Sequence, residues 1–422
     1  MKLYMNLFFH NLWVVWIIHT LSLIIKIPVS IIVHFLWKPN LSTTTTSEIL
    51  NDDISNYDFD STKKFMEDNK YLENYDDSEL AEDGDNPKFY GMLDHAVGDK
   101  TDKYFNKLMS YIDENGVMGR YAPGHPKRDS APNISGDMMS GINLSITNRL
   151  IARSIPNEYK EKLRKFFELT IFIKPVQTFS DPEEGKYSNQ GTIYTPLYES
   201  TPGLCKLLSY LYLGYKVTGE DRYHFWYKMF YYVSYPLLKL KFSDANIFYD
   251  NFYVIKWHTP HSRFLNYTTL YMLTKNKIYK DLAENTYKRY GYWNLDMKAI
   301  WFSVFENEMT DEEMKTFCQM LISTVYKGVG EVPSEKLDTY YSGTRFIEWV
   351  FPKIKFLLKI SKEDPGTWGE PMSNHFLSPK YLGQRYLWEK TPIKGYTASD
   401  QRRKMWIIDS LIPWYGYLRH KK

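Results

Sequence analysis

Three times along this chain an apolar helical run ends at a Thr or Ser, and a Tyr five residues later starts another helix. The phrases are Ser154 to Tyr159 (SIPNEY), Thr218 to Tyr223 (TGEDRY) and Thr274 to Tyr279 (TKNKIY). Apolar runs flank each one: Ile146 to Ile151 before Lys160 to Ile173, Leu204 to Val217 before Trp226 to Leu238, and Tyr267 to Leu273 before Leu282 to Tyr290. This is the pattern of stacked αα-hairpins, none of which can bury its apolar face alone. A further helix is expected over Thr310 to Tyr326, opened by the capping pattern Thr310-Asp311-Glu312-Glu313. Upstream, Tyr104, Leu108, Met109 and Ile112 mark one face of a helix ending near Asn115-Gly116. Strand-type alternation is missing over any useful length, so the fold class expected is all-α.

Hairpins of this kind either stay open as a solenoid or close into a toroid. Three long polar connections favour the toroid, whose loops gather a site at one end: Tyr121 to Gly136, Phe179 to Pro202 and Phe242 to Leu265. The first holds Pro123, Gly124, Pro126 and Pro132 and runs into a helix start at Ser135-Gly136-Asp137.

The N-terminus is of another kind. From Leu3 to Ile25 no residue is charged, and the apolar character continues past Lys26 and Pro28, which predicts one transmembrane helix within residues 1–38. A cleaved signal peptide fits less well, because the apolar run is too long and no small-residue cleavage site follows. Residues 39–99 then read as an acidic flexible linker, with a balance of −12 over 48–99, and the chain from Lys100 onward carries about +12. Packing of Phe59, Phe65, Tyr71 and Tyr75 as a strap is the other reading of this stretch. The domain is expected over 100–422. Its Lys and Arg are scattered among helical patterns, so no nucleic-acid partner is expected. Two cysteines, Cys205 and Cys318, each in an apolar segment, exclude a disulfide framework and read as buried thiols.

Several motifs together resemble the (α/α) toroid proteins of the six-hairpin glycosidase type, including members with no assigned reaction. They are Ser-Gly-Asp-Met-Met-Ser-Gly from Ser135, Thr-Gly-Glu-Asp-Arg-Tyr from Thr218, His-x-x-His-x-Arg-x-x-Asn from His258, Arg-Tyr-Leu-Trp-Glu from Arg385 and the run Asp409 to Arg419. The resemblance covers about residues 100–422 and implies a carbohydrate-processing protein, in its specific form a glycoside hydrolase acting on an acidic or complex glycan; with the N-terminal segment the expectation is of a membrane-anchored one. The alternative is a non-catalytic, membrane-tethered helical binding or scaffold protein.

Asp137 is the carboxylate placed to act. At a helix N-terminus the dipole and backbone N–H groups hold it ionised, which suits a base or nucleophile, and capping alone explains it equally well. Glycoside cleavage needs a second carboxylate ~5 to 10 Å away, for which Glu199, Asp250 and Glu306 are candidates. Arg120 and Arg345 are candidates to pair with an acidic sugar, and Tyr194, Trp257 and Trp388 to stack on sugar rings. Each of these has packing or surface pairing as its plainer use. His258, His261 and Asn266 are expected to hydrogen-bond a ligand or cap a helix. Pro260 breaks the geometry a metal pair would need, so neither metal nor cofactor is expected.

Overall fold

The computed structural model describes residues 12–36, 60, 64, 86–98, 101–126, 136–152, 154–173, 201–240, 258–290, 295–305, 310 and 311. Among them are ten α-helices and no strand, as an all-α chain requires. They fall in two compact units. The first is drawn from Met1–Ile31, Asp77–Asp244 and Ser262–Glu284, and the second from Ile32–Asp76, Ala245–His261 and Asn285–Lys422. In the second unit α10 (Leu295–Val304) carries Trp301, on which Tyr287 stacks at 4.7 Å.

The first unit has two layers. One is made of helices buried nearly all round: α2 (Asn86–Val97), α4 (Gly136–Ala152) and α6 (Thr201–Thr218), with α8 (His258–Thr274) of the same character. The other is made of one-sided helices: α3 (Lys103–Ser110), α5 (Asn157–Glu168), α7 (Asp221–Lys239) and α9 (Lys277–Tyr290). Neighbours in the second layer meet in chain order. Phe105 of α3 packs edge-on to Tyr159 of α5 at 5.8 Å, Arg222 of α7 pairs with Glu168 of α5 at 3.2 Å, and the Tyr227 and Tyr279 hydroxyls of α7 and α9 lie 3.2 Å apart. A short π-helical turn, Leu169–Ile173, prolongs α5 and brings Phe172 to within 4.8 Å of the Tyr223 ring.

The repeated phrase is one structural device used three times. The N–H groups of Tyr159, Tyr223 and Tyr279 donate to the carbonyls of Pro156, Glu220 and Asn276 at 3.0, 3.2 and 3.1 Å. In the second and third turns the Thr hydroxyl does two jobs. Thr218 accepts from the Glu220 N–H at 3.1 Å and donates to the Gly214 carbonyl, and Thr274 accepts from the Asn276 N–H at 3.2 Å and donates to the Leu270 carbonyl. The residue after each Thr is left-handed, with φ of 72° at Gly219 and 55° at Lys275. Glycine adopts that conformation without strain and lysine does not. Lys275→Gly is therefore expected to raise stability by about 1 kcal/mol in denaturant unfolding; no gain would mean that the loss of lysine contacts, such as its ammonium 5.3 Å from the Tyr271 ring, offsets the relief.

Two boundaries differ from the sequence reading. The packed body starts before Lys100, since all twelve residues of α2 are buried although their neighbours in sequence are acidic. Helix α3 stops at Ser110, not near Gly116, because the Asp113 carboxylate accepts from the Asn115 and Val117 N–H groups, both at 2.9 Å. This turns the chain into an isolated bridge between Ile112 and Met118. Gly116 is required there, with φ of 82° and no room for a Cβ against the Lys165 backbone.

The N-terminal apolar segment forms α1 (Leu12–Leu36), a helix of 25 residues that continues through Pro28. Among the described residues no helix is long and apolar enough to cross a membrane; in α1, His19, Thr20, Ser22 and Lys26 interrupt the apolar run. What holds α1 is α7. The Trp16 indole donates to the Met229 carbonyl at 3.1 Å, the His19 ring and the Ser234 hydroxyl lie 2.6 Å apart, and the Trp13 ring packs against Trp226 at 4.7 Å.

Candidate functional site

The all-round-buried helices carry polar residues among their apolar ones. On α2 these are Asn86, Lys88, Asp94 and His95; on α4 Ser140, Asn143, Ser145, Thr147, Asn148 and Arg149. Their mutual positions follow from two glycines. A Cβ on Gly91 would lie 2.1 Å from the Gly141 carbonyl oxygen, and one on Gly141 would lie 2.3 Å from the Lys88 carbonyl oxygen, so the two backbones touch. Contacts then advance together along both helices, with the Ser145 hydroxyl donating to Asp94 at 2.7 Å and Arg149 beyond it. Helices α2 and α4 are thus parallel, and their N-terminal ends lie side by side. Asn143 extends the polar layer sideways by donating to the Ser209 hydroxyl of α6 at 3.1 Å.

At the far end the polar residues form an ion cluster. Arg149 pairs with Asp94 and with Asp102, reaches the Thr101 carbonyl at 3.3 Å, and lies 4.7 Å from the Phe105 ring centre. Burial raises the Asp94 pKa, with Arg149 and Ser145 pulling against it. Burial likewise works against the Arg149 charge, and its hydrogen bonds to Asp94 and Asp102 outweigh this, so its pKa is raised. The two shifts point opposite ways for the pair as a whole. The direction we stand behind is that of a charged pair, because Asp94 faces a guanidinium through both oxygens and a hydroxyl through one. Among the described residues Asp94 is the one buried carboxylate, and it is committed to this pair.

Buried polar groups without a partner occur at both ends of this pair of helices, from Asn86 to Thr147, and on α8. Asn86, the first residue of α2, is fully buried, and neither its carboxamide nitrogen nor its oxygen has a hydrogen-bond partner. On α8 the Asn266 carbonyl oxygen and the hydroxyls of Thr268 and Thr269 are buried in the same unsatisfied condition. Each such group costs about 1 to 3 kcal/mol unless something pairs with it. Amides and hydroxyls of this kind do not by themselves transfer protons. Among the described residues no group of His, Cys, Asp and Glu could hold a metal ion. Cys205 is a buried free thiol whose pKa burial pushes well above its ordinary value, so it is no nucleophile.

Asp137 is the second residue of α4, at the end where α2 and α4 both begin. His258 opens α8; His261 and Asn266 lie further along it and are buried. Arg120 is half-buried just before a turn in which the Tyr121 and His125 rings stack at 4.7 Å. Glu199, Asp250, Glu306, Tyr194, Trp257, Arg345 and Trp388 lie outside the described residues. Sequence reasoning missed Asn86, Asp94 and Arg149. Asp94 and Asn86 sit in an acidic stretch whose composition suggests a linker, and the signal against that was local: Phe89, Tyr90, Met92, Leu93, Ala96 and Val97 crowd into nine residues. A separate surface cleft of ≈ 510 Å³ opens at the C-terminal ends of α4 and α6, lined by Leu150, Ile151, Ile155, Lys160, Lys216 and Val217 among others.

No family model, curated protein or solved structure matches the chain.

Proposed function

We propose that the chain is a membrane-attached (α/α) toroid of the six-hairpin glycosidase type that processes a glycan at the end where its all-round-buried helices begin. The observation that carries this is the parallel pairing of α2 and α4. It sets the N-termini of α2 and α4 side by side, with Asp137 in the first turn of α4 and the buried, unsatisfied Asn86 at the start of α2. Positive dipole ends directed at one place hold a carboxylate ionised. In glycoside hydrolysis one carboxyl protonates the leaving oxygen while the other activates water or attacks the sugar, and Glu199, Asp250 and Glu306 are the candidates to partner Asp137. Arg120, Arg345, Tyr194, Trp257, Trp388, His258, His261 and Asn266 are the proposed ligand contacts. The N-terminal helix is the proposed attachment to the membrane.

Asp137→Asn separates chemistry from capping. With a panel of neutral and acidic oligosaccharides and release of reducing ends as the readout, the variant is expected to lose at least about a hundredfold in rate at an unchanged melting temperature. A loss of ~1 kcal/mol in stability with the rate retained would assign Asp137 to the helix cap alone and sink the catalytic proposal.

One observation favours the second reading, a non-catalytic, membrane-tethered helical binding or scaffold protein. The single buried carboxylate among the described residues is neutralised by Arg149 and not held free for proton transfer. Binding of oligosaccharides without turnover, abolished by Asn86→Leu and indifferent to Asp137→Asn, would establish it.

A further inference from the structure

Helix α1 is built inside out for a helix in water. Trp13, Ile17, Leu21 and Ile24, with Ile25 beside them, form an outward stripe between 48 and 71% exposed. The polar side chains described on the same helix are turned inward or satisfied on the helix itself. His19 is buried against Ser234, Lys26 is buried, and Thr20 and Ser22 donate their hydroxyls to the carbonyls of Trp16 and His19 at 2.8 and 2.6 Å. Water selects the reverse arrangement, whereas hydrocarbon selects this one.

The surface does not stop at α1. The Trp13 ring meets Phe225 of α7 at 6.0 Å, and both are about half exposed, so the stripe runs on without a break. Along this face of α7 the exposed residues are Asp221, Phe225, Lys228, Tyr232, Tyr235 and Lys239, with the Lys239 ammonium 5.9 Å from the Tyr235 ring. An aliphatic band bordered by tyrosines and lysines matches the order of a bilayer from acyl chains to headgroups.

We propose that the outer faces of α1 and α7 form one lipid-binding surface, the α1 stripe facing acyl chains and the Tyr and Lys residues of α7 lying at anionic headgroups. This rests on the membrane attachment proposed above and adds that the helical body itself, not only its N-terminal segment, lies on the bilayer. A second copy of the chain is a poorer occupant. A two-fold contact through this face would leave Lys228 and Lys239 of each copy in excess over its one exposed carboxylate, Asp221, whereas anionic headgroups answer every lysine.

The test uses the full chain with Cys318→Ser, bound to vesicles of phosphatidylcholine containing phosphatidylserine. An environment-sensitive dye is placed at Leu21→Cys, Tyr232→Cys or Glu161→Cys, the last an exposed site on α5. A nitroxide-bearing lipid is expected to quench the dye at positions 21 and 232 several-fold more than at 161. Quenching at 21 with position 232 no different from 161 would overturn the inference and leave membrane attachment standing. Quenching at neither in folded protein would overturn both. Cross-linking between copies through Tyr232→Cys, without quenching, would overturn it in favour of a dimer interface.

Discussion

Arg149→Leu is expected to destabilise the protein by about 3 to 5 kcal/mol in equilibrium unfolding, a large part of what holds a domain of ordinary stability together. The reason is what the substitution leaves behind. Asp94 is fully buried, the Ser145 hydroxyl satisfies one of its oxygens, and without the guanidinium its charge has no partner. Asp102 is half exposed and can turn to water, so its loss of Arg149 adds little. The double replacement Asp94→Leu with Arg149→Leu should recover much of the loss, because two apolar groups in place of a buried ion pair are often close to neutral. A single-variant cost below ~1 kcal/mol would show that Asp94 is protonated in the native protein.

Gly91→Ala is expected to cost about 3 kcal/mol, even though alanine is the better helix former by ~1 kcal/mol. The added carbon would sit 2.1 Å from the Gly141 carbonyl oxygen and 2.9 Å from the Ile142 nitrogen, and both are backbone atoms that cannot rotate aside. Helices α2 and α4 would have to separate, disturbing Asp94, Ser145 and Arg149 along with them. Gly124→Ala is the control: its Cβ meets nothing within 4 Å, so only the cost of its positive φ remains. Equal melting-temperature shifts for the two variants would mean that the helix contact is not what Gly91 is for.

The hairpin turns are legible in sequence because their chemistry is local. A Thr that satisfies its own neighbours, a left-handed residue after it and a Tyr that starts the next helix all lie within six positions. The all-α class is legible for the same reason, since helical periodicity is a short-range property. Helix α2 is hidden because its stability comes from α4, about fifty residues away. The acidic run before it dominates any composition window, while Asp94 becomes tolerable inside the protein only through Arg149. The choice of Asp137 rests on its place at a helix start, which local sequence does reveal. Its partner carboxylate is a question of long-range geometry that no spacing rule answers.

The contact between α1 and α7 also sets a timetable. His19 and Ser234 are 215 positions apart, so at about 5 to 20 residues per second the ribosome needs roughly 10 to 40 s to deliver the partner after the helix itself has been made. The hairpins can close as they emerge, because each depends on neighbours already synthesised. Helix α1 cannot, and its Trp16 and His19 are without their α7 partners Met229 and Ser234 for that interval. Of the described helices α1 is thus the one that waits longest, and its inner face meets the body only once α7 has been made.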